Sequence, residues 1–232
     1  MEEVYSIVSL DDHYMVGGVC SGADFAQNMY GMYVRFNQSL PTGTSNLEIA
    51  ATAHKWQWKP LFATSMGHTP LEDGITAKRL SGAVTANLFR MTRDHKDALV
   101  HTWKTFSPNT TWEEFRDSPL GFSLVKTFEE DASSIVYDFE FSYEQLVEEP
   151  QVFLTKLVDL LVPRQDNPEL GTFGQAKREV SFDIVDLVVQ ECGVRELRSD
   201  VKAPGLLDRV GIHKEFLSQS QVEEIDEFID SL

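Results

Sequence analysis

The residues best suited to chemistry in this chain would handle an anion and a proton. In "DDHYMVGGVCSGADFAQNMY", residues 11–30, an apolar run ends in a turn containing Ser21 and Gly22, and a segment with helical spacing follows. Backbone amides of residues 21–25 at the start of such a helix suit a phosphate group. The loop has no lysine and carries Asp24. That carboxylate would either repel an anion or cap its own helix. His68, in "MGHTPL", has a side chain that takes a proton near neutral pH, or serves as a loop histidine with a structural hydrogen bond. Arg93, in "FRMTRDHKDALVHTW", can fork onto a phosphate, or pair with Asp94 or Asp97. The rings of Phe25, Tyr143 and Phe182 can stack on a purine or fill a core. Cys20 precedes a helix N-terminus, where thiol pKa values fall; with His68 or His101 as base it would be a nucleophile, and otherwise a buried thiol.

These residues need a scaffold, and the patterning supplies one. Tyr14 to Val19 is short, apolar and ended by glycine, which predicts a buried strand, and Phe25 to Phe36 repeats apolar residues at helical spacing. Asn87 to Thr92 predicts a second strand, followed by a helix over Asp94 to Phe106. The alternating "IVYDFEFSY", Ile135 to Tyr143, predicts a third strand. Helices are expected over Gln151 to Val162, Ser181 to Glu191 and a last segment with Val222, Ile225, Phe228, Ile229 and Leu232 on one stripe. A short helix is expected in "NLEIAATAHKW", with loops at residues 40–45, 107–130 and 164–178. Strands separated by helices imply one α/β domain over 1–232, with a mainly parallel central sheet flanked by helices and a helical C-terminal third.

Charge narrows the partners. Twenty Lys and Arg against 37 Asp and Glu give a net charge of −17, which repels nucleic acid and anionic membrane at long range. A polyanion would need a local basic pocket. No apolar run reaches the 18 or so residues that span a membrane, and the N-terminal "MEEVYSIVSL" does not read as a secretory signal. Two isolated cysteines, Cys20 and Cys192, argue against a metal site or a disulfide framework and fit a reducing, cytoplasmic setting. Asn37 and Asn109 head glycosylation triplets that read as surface loops.

Taken in order, the segments resemble the cytosolic sulfotransferases, which use 3′-phosphoadenosine 5′-phosphosulfate as sulfuryl donor. "DDHYMVGGVCSGADF" is similar to a strand beginning D-D that leads into Y-P-K-S-G-T-T-W, and "MGHTPL" is similar to K-T-H-L-P. "FRMTRDHKDALVHTW" resembles R-N-P-K-D-x-x-V-S, "FEFSYEQLVEEP" resembles Y-E-D-L-x-x-x-P, and "VSFDIV" resembles T-S-F-x-x-M. "LLDRVGIHKEFLS" is similar to R-K-G-x-x-G-D-W-K. The resemblance spans roughly residues 11–217 and implies the sulfotransferase form of the P-loop nucleotide-binding fold.

It also implies roles. Cys20, Ser21, Gly22, Ala23, Asp24 and Phe25 would form the donor-binding loop, and Arg93 and His101 would hold the 3′-phosphate. Tyr143 and Phe182 would sit near the adenine, and His68 would be the catalytic base. The co-substrate would be the phosphosulfate donor, with no metal, and the partner a small-molecule acceptor in a pocket built by residues 37–65 and 107–130. Two of the family's lysines are replaced, by Cys20 and Met66. Each lost electrostatic partner at a developing charge costs about 2.7–4 kcal/mol of barrier. The same features admit a non-catalytic sulfotransferase-like module that binds a nucleotide, a small molecule or a protein.

Overall fold

The computed structural model describes residues 5–10, 13–39, 63–65, 87–161, 180–198 and 206–232. They form an α/β arrangement around a five-stranded sheet: β1 (Tyr5–Leu10), β2 (His13–Gly18), β3 (Ala63–Ser65), β4 (Leu88–Thr92) and β5 (Phe139–Ser142), in the order β3-β1-β2-β4-β5. Strands β2, β4 and β5 are parallel, with Gly17 opposite Met91 and Met91 opposite Phe141. β1 pairs antiparallel with both β2 and β3. The mainly parallel sheet expected from the patterning is therefore a three-stranded parallel core with an antiparallel edge.

Helices cover both faces. After β2 comes α1 (Ala23–Ser39), and after β4 come α2 (His95–Phe106), α3 (Trp112–Arg116) and α4 (Phe122–Ser133). The C-terminal third adds α5 (Tyr143–Glu148), α6 (Pro150–Leu161), α7 (Phe182–Glu191), a 3-10 turn at Val194–Leu197, α8 (His213–Phe216) and α9 (Gln219–Asp230). Successive strand residues point to opposite faces, so Met15, Phe89, Met91 and Phe141 face α1, α6 and α7, while Val16 and Leu88 face Phe128 and Ala132 of α4. Burying a ring such as Phe89 is worth about 2–3 kcal/mol. A third cluster joins Leu99 and Trp103 of α2 to Trp112, Phe115 and Ile225.

The local chemistry explains the boundaries. Asp94 caps α2 by accepting from the amides of Lys96 and Asp97, and Pro150 opens α6 where its missing N–H costs nothing. The strand expected over Ile135 to Tyr143 shrinks to four residues. Ser142 and Gln145 form a capping box, so Tyr143 begins a helix, while Ile135 and Tyr137 pack beside α4 instead of pairing. The stretch 107–130, expected as a loop, holds α3 and most of α4; the reciprocal cap of Thr111 and Glu114 starts the first of these. The expected helix at "NLEIAATAHKW" and the loops at 40–45 and 164–178 lie outside the described residues, as do His68 and Met66.

Candidate functional site

β2 and β4 lie side by side and end together, which brings the loop after Gly18 against the loop after Thr92. This carboxyl edge of parallel strands is where α/β sheets bind ligands. The first loop is tightly wound. Cys20 adopts a left-handed φ of 59° and Gly22 one of 91°. Glycine at 22 is dictated twice, by that angle and by space, since a Cβ there would lie 2.3 Å from Tyr143 Cδ2. Ser21 donates its amide to Gly18 O at 3.1 Å and is buried, its Oγ without a hydrogen-bond partner among the described residues. Asp24 sits in the first turn of α1, the end of the helix that favours a negative charge.

Arg93 is the hub of the site. Only 6% exposed, its Nη1 donates to Cys20 O at 3.1 Å and lies 3.2 Å from His101 Nδ1. Its Nη2 donates to Leu207 O at 3.2 Å and Arg209 O at 3.4 Å, and its Cζ stacks 4.5 Å over the Tyr143 ring. The pairing with Asp94 or Asp97 considered above does not occur. Among the described residues no carboxylate forms an ion pair with Arg93, and its Nε is buried without a partner. The partners of this guanidinium are main-chain carbonyls, an imidazole nitrogen and a ring face.

The neighbours are tuned by burial. His101 Nδ1 lies 3.2 Å from both Arg93 Nη1 and Asp208 Oδ1. Burial lowers the imidazole pKa, and Arg93 adds to this against the opposing pull of Asp208. The lowered pKa favours the neutral ring, which accepts from Arg93 in the tautomer with Nδ1 unprotonated. Burial likewise pushes the Cys20 thiol up, outweighing its hydrogen bond to Thr102 and the charge of Arg93. Cys20 is half-buried, and the raised pKa of its thiol weighs against the nucleophile reading. Phe25 packs edge-on to Tyr143 at 6.5 Å, whereas Phe182 begins α7 with 69% of its surface exposed and makes no ring contact with either.

The expected site residues thus divide. Cys20, Phe25, Arg93, His101 and Tyr143 meet around the loop of residues 20–25; Phe182 does not join them. Two cations in the flanking segments are already paired, Lys96 with Asp226 at 2.6 Å and Arg209 with Glu215 at 2.7 Å. Asp94, Asp97 and His213 lie close enough to hold a metal ion. Their oxygens are instead committed: Asp94 caps α2, and Asp97 accepts from Gly211 N at 2.5 Å, His213 N at 3.0 Å and pairs with His213 Nδ1 at 2.5 Å. That buried pair pins the 207–213 segment against α2.

A second feature lies beside the loop. Between α2, α4 and the ends of β2 and β4 lies a half-open, mainly apolar cavity of about 110 Å³, lined by Gly18, Val19 and Ser21 of the loop, by Leu99 and by Leu120, Leu124, Val125 and Phe128. Its polar wall is a network: Glu129 accepts from Arg90 Nη2 at 2.5 Å and bonds His95 Nε2 at 3.1 Å. Burial would raise the Glu129 carboxyl, but the bond to His95 and the charge of Arg90 win and hold it below the usual range. Tyr137, beneath Arg90, is pushed up to about 12 by burial. The sequence signal was the spacing Leu124, Phe128 with Glu129 adjacent, legible once 122–133 is read as a helix.

No family model matches the chain, and no curated protein matches it. Among the described residues no helix is long and apolar enough to cross a membrane.

Proposed function

We propose that this chain is a divergent sulfotransferase moving a sulfuryl group from 3′-phosphoadenosine 5′-phosphosulfate to a hydroxyl or amine of a small-molecule acceptor. The observation that supports this is convergence: the loop at Cys20, Arg93, His101 and the segment Leu207 to Arg209, far apart in sequence, meet at one guanidinium. Each belongs to a segment that resembles a nucleotide-binding motif of the family. The amides of residues 21–25 would cradle the 5′-phosphosulfate, and Arg93 with His101 would take the 3′-phosphate. Its oxygens would displace the main-chain carbonyls from Arg93, exchanging neutral hydrogen bonds for charge-assisted ones.

His68 is the base in this reading. It takes the acceptor's proton as the acceptor oxygen or nitrogen bonds to sulfur and the bond from sulfur to the 5′-phosphate oxygen breaks, releasing 3′-phosphoadenosine 5′-phosphate. Incubation with the phosphosulfate donor and a panel of alcohols, phenols and amines, read by mass spectrometry, tests it. A sulfated product is expected, and His68→Ala should abolish it while leaving nucleotide affinity within a few-fold. Unchanged turnover in that variant would remove His68 from the mechanism.

A second reading, a non-catalytic sulfotransferase-like binding module, is favoured by the replacement of two lysines by Cys20 and Met66. Nucleotide binding without transfer to any acceptor in the panel would select it.

A further inference from the structure

The guanidinium on which the nucleotide site depends is already fully engaged. The Nη atoms of Arg93 carry four of its five N–H donors, and four acceptors meet them: Cys20 O and His101 Nδ1 at Nη1, Leu207 O and Arg209 O at Nη2. An anion reaches these atoms only by taking the place of an acceptor already there. Two of the four come from one short segment. Between them lies Asp208, whose carboxylate is 3.2 Å from His101 Nδ1, the same nitrogen that Arg93 reaches. Residues 207–209 thus lay two carbonyls on the guanidinium and a negative charge beside the imidazole, the two groups assigned to the 3′-phosphate.

This segment is fastened unevenly. On its C-terminal side Asp97 accepts from Gly211 N and His213 N and pairs with His213 Nδ1, a buried anchor on α2. The hold on residues 206–210 is lighter: Val210 N donates to Leu197 O at 3.0 Å, Leu206 and Val210 are half-buried against the core, and the Asp208 side chain is more than half exposed. At the junction, Gly211 adopts a left-handed φ of 75°. We propose that residues 206–210 are an autoinhibitory strap across the anion site, with Asp208 standing in for a phosphate charge, and that the strap swings out about Gly211 while the Asp97–His213 anchor stays closed. This inference rests on the reading of Arg93 and His101 as the 3′-phosphate site. Neutral carbonyl bonds hold the strap, and a phosphate replaces them with charge-assisted bonds about twice as strong. Ligand affinity is then reduced by the fraction of molecules in which the strap is open.

Two measurements on the whole chain test this. The first is calorimetric titration of the wild type and of Asp208→Asn with 3′-phosphoadenosine 5′-phosphate and, separately, with inorganic pyrophosphate. Asparagine keeps the shape of the side chain, removes its charge and, at an exposed position, leaves the fold intact. Affinity should rise about tenfold in the variant, as for a strap open in about a tenth of wild-type molecules. The second is residue-resolved amide hydrogen exchange with the anion bound. The Val210 amide should exchange faster than in the free protein, while the Gly211 and His213 amides, held by Asp97, keep their protection. Equal or weaker binding in Asp208→Asn would overturn the strap. A Val210 amide that stays protected would overturn it too, since Asp208 would then be a fixed repelling charge. Pyrophosphate binding with the same gain in the variant, without nucleotide binding, would count against the transferase reading alone. No binding of either anion to either protein would overturn both.

Discussion

Arg93 is where the residue scale carries most information. Its sequence position, after a strand and before a helix, was legible; its partners were not, because they come from residues 20, 101 and 207–209 and exist only once the chain is folded. His101 shows what that environment does to a titration. An ordinary histidine titrates near 6.5, and here burial and Arg93 lower the pKa, so the folded protein disfavours the imidazolium. Stability from this group is complete above the unfolded pKa and falls as pH drops through the folded one. A phosphate bound at Arg93 reverses the local field and favours the proton. Affinity for 3′-phosphoadenosine 5′-phosphate should therefore rise as pH falls from 7.5 to about 5.5, with proton uptake visible as calorimetric heats that depend on buffer ionisation enthalpy. His101→Asn should flatten the profile; a wild-type affinity that falls on acidification would separate His101 from the phosphate.

At the scale of elements, β2, its loop and α1 act as one unit whose shape depends on Gly22. Any side chain there meets both a left-handed backbone and the Tyr143 ring. Gly22→Ala should cost at least about 2 kcal/mol, summing the left-handed penalty and the overlap, measured as a lower urea midpoint; a change within 0.5 kcal/mol, roughly the size of a surface substitution, would show that the loop is not braced by Tyr143. Most elements were readable, because α1, α6, α7 and α9 carry helical spacing and β2 and β4 are short apolar runs. β1 was missed because its alternation, "YSIVSL", sits in an acidic N-terminus, and α3 because five residues are too few to show a period. The cavity was missed with them, since its far wall is α4.

Charge governs the whole molecule. A net charge of −17 repels a bisphosphate nucleotide at long range, while the buried guanidinium attracts it over a few ångströms, where salt screens little. The association rate should accordingly increase from about 0.01 to 0.15 M salt, followed by stopped-flow fluorescence, since the Debye length shrinks from about 30 to 8 Å over that range. A falling rate would instead reveal a positive funnel around the site. In the proposed function the loop at residues 20–25, Arg93 and His101 form a site for 3′-phosphoadenosine 5′-phosphate, and calorimetric titration of the whole chain with that nucleotide decides whether they do. A single saturable site with micromolar dissociation constant, about −8 kcal/mol, is expected; no binding at millimolar nucleotide would remove the nucleotide site.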